Sequence, residues 1–407
     1  MQYIHNGQMR AVNHCEGLVP RPFARFNYPF NPRKSMAKKG AKMKQIKVED
    51  IVEHIHKIAN PNLAYDWDNV GFQLGDAEAE VKKILLTLDV TENAIRKAIK
   101  ENVDLIISHH PFIFQPIKNI TNPLYLKLIR SNISVFCAHT NLDVVQKGVN
   151  YALAEKLGLE NLEFLSSVSG SKLFHFAVYV PENSMEAVAE AVFGAGAGNI
   201  GNYENCLNDY EVSGQFKPLE GSKPNVGVKN KLKKVVERKL EFFVDSFNLN
   251  RVISAMKSAH PYETPAFAVY PQEKSSENYG LGLIGELSNK MTIADFSQKV
   301  KRDLKAPFIK LWLADRTQSD FVQKIAICGG TGTSLLNKVY GRADIFVSAD
   351  FTYHILLDSK IPIIDAGHFY TEYPALKNLR EMLSDFEVEI IELKAEEHEI
   401  QREMIIY

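Results

Sequence analysis

The chain has 407 residues, 45% of them hydrophobic and 24% charged, with 23 glycines and 17 prolines. These fractions exclude a disordered chain, a collagen and a coiled-coil rod. Lys plus Arg number 48 against 49 Asp plus Glu, for a net charge of -1, which argues against nucleic acid as the main partner because such binders are usually basic overall.

A single core rarely grows past about 250–300 residues, so more than one domain is expected. Four cysteines, at 15, 137, 206 and 328, are too few and too scattered for a disulfide framework or a four-Cys zinc site. A reducing, cytoplasmic setting is the default expectation. No apolar run approaches the roughly 18 residues of a membrane span.

Residues 1–42 carry eight Lys/Arg, one acid (Glu16) and four prolines with no helical or strand period. They are expected to be a disordered tail, or an upstream start with the working Met at Met36 or Met43. From Lys44 the pattern is regular. Val48, Ile51, Val52 and Ile55 recur at helical spacing. VKKILLTLDV (81–90) reads as a buried strand, and Thr91 then caps a helix. VDLIISHHP is a strand running into a loop, NPLYLKLIRSN a helix, ISVFCAHTNLD a strand, and GVNYALAEKLGL a helix closed by Gly158. Strands alternating with helices predict βαβ units and a largely parallel sheet.

The middle of the chain changes character. HFAVYVPENSMEAVAEAVFGAGAG (175–198) reads as strand, turn and helix, followed by a hairpin-rich, Gly/Pro/Asn-punctuated stretch and a further βαβ run through HPYETPAFAVYP. That order fits a small α+β module of the ferredoxin-like type, placed at 172–274 with SSENYG (275–280) as exit linker. The alternation then returns. QKIAICGGTG (323–332), ADIFVSAD (343–350) and IPIIDAG (361–367) are strands, with helices from Ser334, from Tyr353 and over 375–386. The expected fold is α/β: one larger domain in two halves, 43–171 and 275–407, interrupted by the α+β insert.

Functional loops of α/β sheets sit at the carboxyl ends of strands. Three strand ends carry ligating groups: His109-His110, His139 through Asp143, and His368 with Glu372 four residues on. Imidazole and carboxylate suit Zn, Fe, Mn, Co or Ni, and an i, i+4 pair shares one helix face. Two ions about 3.5–4 Å apart would make a hydrolytic centre, with Asp143 able to bridge. The turn Gly329–Thr333 lacks the Lys-Ser/Thr ending of a P-loop. It either cradles an anion or is a tight strand-to-helix turn. Cys137 and Cys328 lie in apolar strands and are expected to be core thiols.

In order along the chain, SHHPFIF, AHTNLDV, ICGGTG and DAGHFYTE closely resemble the Nif-three-like dinuclear-metal proteins, whose members are often described as GTP cyclohydrolase I type 2 homologues. WDNVGFQLGD, LTLDVTENAI and ADIFVSADFTYH match further segments, and the middle module resembles the PII/CutA-like insert of the longer bacterial members. The resemblance covers about 43–407. It implies two divalent ions per subunit held by His109, His110, Asp143, His368 and Glu372, with His139 and His354 as supporting or acid–base groups. It also implies a ring-like homohexamer. SADFTYH departs from the family pattern, which has Thr-Gly-Asp before the aromatic and His. Two roles follow from the resemblance. One is a metal-dependent hydrolase acting on a nucleotide such as GTP or another small phosphorylated compound. The other is a non-enzymatic metal-binding scaffold whose insert senses a ligand or partner.

Overall fold

The computed structural model describes residues 45–168, 172–201, 203–275 and 278–403. The expected tail over 1–42, and residues 276–277 of the expected linker, lie outside them. Among the described residues the strands run in chain order as β1 (Gly71–Leu74), β2 (Lys83–Thr87), β3 (Leu105–Ser108), β4 (Ser134–Cys137), β5 (Leu159–Ser167), β6 (Lys172–Val180), β7 (Asn208–Phe216), β8 (Lys233–Asp245), β9 (Phe267–Ser275), β10 (Gly280–Thr292), β11 (Lys310–Trp312), β12 (Phe321–Thr331), β13 (Ile345–Ala349), β14 (Ile363–Asp365) and β15 (Glu389–Glu392). None of the helices among them is long and apolar enough to cross a membrane.

Three sheets result. The first has order β1-β4-β3-β2-β15, with β2, β3, β4 and β15 parallel and β1 antiparallel at the edge. The second has order β11-β14-β13-β12-β10-β5 around the parallel trio β12, β13 and β14. The halves interlock more than the sequence suggests. β5 lies in the first half of the chain but belongs to the second sheet, while β15 returns from the C-terminal side to pair with β2.

Both faces of the first sheet are covered. Ile84, Leu86 and Ile107 pack with Val48, Ile51 and Ile55 of the helix Val48–Ile58. Leu85, Ile106 and Val135 pack on the opposite face with Ile95, Ala98 and Leu128. Strands buried on both faces read as continuous apolar runs, which is why KILLT and LIIS are legible. The Thr91 hydroxyl accepts from Ala94 N to start the next helix. Gly158, at φ 68°, ends the helix Val149–Leu157 in the left-handed conformation that a residue without Cβ tolerates best. That helix joins the two cores. Val149 and Ala152 enter the first, while Leu153, Ala154 and Leu157 enter the second.

The segment from 172 to 275 builds its own sheet, β7-β8-β6-β9, antiparallel throughout, with helices Met185–Gly194 and Leu249–Ala259 packed on it. Its element order is βαββαβ. Its core is separate from the others, with Phe176 stacked between Phe242 (5.0 Å) and Phe267 (5.5 Å). The chain leaves for this segment at the end of β5 and returns at the start of β10, where Ser167 and Gly280 are register partners.

Candidate metal centre

The carboxyl ends of β3, β4 and β14 converge. Past β3 the backbone stays in the ladder: His109 N donates to Thr87 O (3.1 Å) and His110 N to Leu88 O (2.9 Å). The one-turn helix Thr140–Asp143 follows β4. Asn141 pins it by accepting from His139 N (3.0 Å) and donating to Ala59 O (2.8 Å). The helix His368–Glu372 follows β14 and sets its two ligating ends on one face.

The imidazoles share one arrangement. His109 Nδ1 donates to Ala138 O (2.9 Å), His110 Nδ1 to Asp89 (2.8 Å), His139 Nδ1 to Asp68 (3.0 Å) and His368 Nδ1 to Asp350 (2.6 Å). Each Nδ1 proton is thereby fixed and each Nε2 is turned toward the site, as in metal sites where an outer acceptor sets the tautomer. Glu372 lies among them. Its oxygens are 3.0 Å from His368 Nε2, 3.1 Å from His110 Nε2 and 3.7 Å from His109 Nε2. Asp143 Oδ1 is 3.6 Å from His109 Nε2. Two groups have ligating atoms within 4.8 Å of one another, His109-His110-His139 and His110-His368-Glu372. They share His110.

All five expected ligands therefore meet in one place, and His139 lies beside them, its ring against those of His109 and His110. His354 does not join. It is exposed on the helix Tyr353–Asp358, edge-on to Tyr353, and belongs to neither group. Three further residues hold the imidazoles: Asp68, Asp89 and Asp350. Asp89 and Asp350 follow β2 and β13, so the strand-end rule applied to every strand would have found them. Asp350 has a positive φ of 60°. Non-glycine residues pay for such a conformation only where the surroundings enforce it.

The residues fit divalent cations. His109 Nε2 is buried without a hydrogen bond although it points into a polar cluster, an arrangement that calls for a ligand. Charge is concentrated there too. Burial works against a charged His110, but Asp89 and Glu372 outweigh it and push the imidazole up to about 10. His368 is likewise opposed by burial and raised to about 9 by Glu372 and Asp350. The same imidazoles hold the Glu372 carboxyl well below its ordinary range against the effect of burial. Metal uptake at such a site proceeds by exchange with protons.

The glycine turn after β12 serves this site. Gly329 N donates to Asn150 Oδ1 and Gly330 N to Thr371 Oγ1, both 3.0 Å, so neither is free to cradle an anion. Gly330 has φ +61°, and a Cβ there would lie 2.3 Å from Glu372 Oε1. The turn makes room for the carboxylate. Cys137 and Cys328 are buried, as their strands imply, and burial raises both thiols.

The family signature Duf34/NIF3 (NGG1p interacting factor 3) matches residues 46–399. The chain belongs to the DUF34/NIF3 family. Among similar DUF34/NIF3 proteins is a Staphylococcus epidermidis protein named GTP cyclohydrolase 1 type 2 homolog, 37% identical over 347 residues, 83% of this chain and 93% of that protein. A Bacillus subtilis protein of the same name is 36% identical over 335 residues, 80% of this chain and 89% of that protein. The crystal structure of a Bacillus cereus protein related to NIF3 superposes with a TM-score of 0.73 at 34% identity, covering 86% of this chain and 97% of that one.

Proposed function

We propose that the chain is a metal-dependent hydrolase acting on a nucleotide or another small phosphorylated compound. His109, His110, Asp143, His368 and Glu372 would hold two divalent cations, with His139 beside them. The observation that carries the reading is the set of four imidazoles, each with Nδ1 engaged and Nε2 turned toward the same carboxylate-bearing site. Divalent cations in such a site supply Lewis-acid charge and lower the pKa of bound water toward neutrality. The chain's own residues do the rest. Asp89, Asp350 and Ala138 O fix ring orientation. Asp68 fixes the His139 tautomer, so that His139 Nε2 faces His109 and His110 and can accept or return a proton there. The relatives' name, GTP cyclohydrolase 1 type 2 homolog, supports GTP as the first substrate to try. The family resemblance supports a homohexamer.

The test is elemental analysis of the purified protein, followed by incubation of metal-loaded and chelated forms with GTP while formate is measured. About two ions per chain, and formate only from the loaded form and not from His110→Ala, are expected. Fewer than one ion per chain would sink the reading, as would formate production indifferent to chelation. A second reading, a non-enzymatic metal-binding scaffold, is favoured by one feature. The 172–275 segment has a cavity of about 410 Å³ remote from the metal cluster, lined by Phe216, Tyr262 and the buried Glu237. Two ions without turnover on any nucleotide would select it.

A further inference from the structure

Three aromatic side chains lie exposed beside the cluster and take no part in its ligation. Tyr65, Trp67 and Phe114 are 47%, 57% and 46% exposed. Their arrangement is ordered. Tyr65 and Trp67 stack at 5.6 Å with 11° between planes, Phe114 is inclined to Trp67 at 5.9 Å, and the Trp67 ring stands edge-to-face with His139 at 6.2 Å.

The loop that carries the first two rings is tied to the site by its own bonds. Asp68, next to Trp67, accepts from His139 Nδ1 and from Thr140 N (3.2 Å) and Oγ1 (2.5 Å). Tyr65 N donates to Thr140 Oγ1 (3.2 Å). A second set of bonds fastens this loop to the one bearing Phe114: Asn69 Nδ2 donates to Ile113 O, and Ile113 N donates to Gln73 Oε1 (2.9 Å). The side chains that position His139 thus also position the rings. Large apolar rings left in water at a fixed place next to a reactive cluster serve a partner with a π-face, because stacking on an aromatic ring accepts any planar base.

We propose that Tyr65, Trp67 and Phe114 form a stacking subsite for the planar aromatic part of the substrate, a nucleobase, and so make the chain selective for nucleosides and nucleotides over sugar phosphates. The inference rests on the hydrolase reading for its substrate class. It is independent of that reading as a statement about binding.

Trp67 is one of two tryptophans, so Trp312→Phe leaves it as sole reporter in the full-length, metal-loaded protein. Its fluorescence is titrated with guanosine, adenosine and ribose 5-phosphate. Saturable quenching by both nucleosides and none by ribose 5-phosphate is expected. Calorimetric nucleoside affinity in the wild-type background should fall about 5- to 100-fold in Trp67→Ala, partly recover in Trp67→Phe, and leave metal content unchanged. Absence of saturable quenching overturns the proposal. So does quenching that follows protein concentration instead of nucleoside, which would assign the rings to a contact between copies of the chain. Nucleoside quenching without turnover would leave the subsite standing while the hydrolase reading falls, so the two failures are distinguishable.

Discussion

Gly330→Ala tests the cluster from its backbone side without touching a ligand. The new Cβ would fall 2.3 Å from Glu372 Oε1 and 3.2 Å from His368 Nε2. Contacts under 3.0 Å do not persist, so the carboxylate must retreat by about 0.7 Å. Ligand distances at a divalent ion tolerate only about 0.2 Å. The variant should therefore lose affinity beyond the 10–100-fold typical of disturbing an outer group. Its left-handed φ of +61° costs a further 1–2 kcal/mol of stability, roughly, and a few degrees of melting temperature. Gly341→Ala separates the two effects. Gly341 has φ +71° with nothing within 4 Å of an added Cβ, so it should share the stability loss and keep its metal. Metal affinity is read by competition with a chromophoric chelator and stability by thermal melting. Wild-type affinity in Gly330→Ala, or equal loss in Gly341→Ala, would refute the claim that this glycine exists to make room for Glu372.

Further outcomes follow from the same structure. Asp89→Asn and Asp350→Asn should each lower metal affinity about 10–100-fold with the fold intact, checked by chelator competition and circular dichroism, since each carboxylate accepts a hydrogen bond from Nδ1 of a proposed ligand. His56 is half-buried against Phe136, and its desolvation, with a smaller push from the Arg251 charge, lowers its pKa to about 4. Because the unfolded chain binds a proton near pH 6.5 that the folded chain refuses, stability contributed above pH 6.5 is lost as pH falls toward 4. The loss is about 2 kcal/mol by pH 5. His56→Gln should remove that part of the slope in denaturant midpoints measured at pH 7 and 5. Replacing residues 172–274 by a short Gly/Ser linker should leave metal content unchanged, because Ser167 and Gly280 already face each other across β5 and β10. Metal loss in a folded deletion variant would contradict this.

What was legible in the sequence divides along burial. β2, β3, β4, β12, β13 and β14 are core strands with unbroken apolar runs, and all announce themselves. β1, β5, β10, β11 and β15 do not. β5 reads LENLEFLSS with much of one face in water, and β15 is a short Glu-flanked strand recruited by β2 across the whole chain. Pairing of that kind is decided by tertiary packing, not by local pattern. The ligating residues were visible because strand ends concentrate them. Of their carboxylate partners, Asp89 and Asp350 stand at the ends of β2 and β13 and are legible by the same rule, whereas Asp68 sits on a loop 71 residues from His139, and only the fold brings it within reach. His354, chosen for its place in a motif, turns outward on a helix whose described residues include none that is buried.

The site draws on both large sheets. His109, His110 and Asp143 extend from the first, while His368 and Glu372 extend from the second, with Gly330 behind them. A cation held across that seam would be a cross-link between two hydrophobic cores that already share the helix Val149–Leu157 and the Tyr370 ring. Anything that binds only the assembled form adds about 2.7 kcal/mol of stability at a hundred times its dissociation constant. That energy is shared by both sheets at once. Loading the site should therefore make the two cores melt as one unit, and stripping it should allow them to part company.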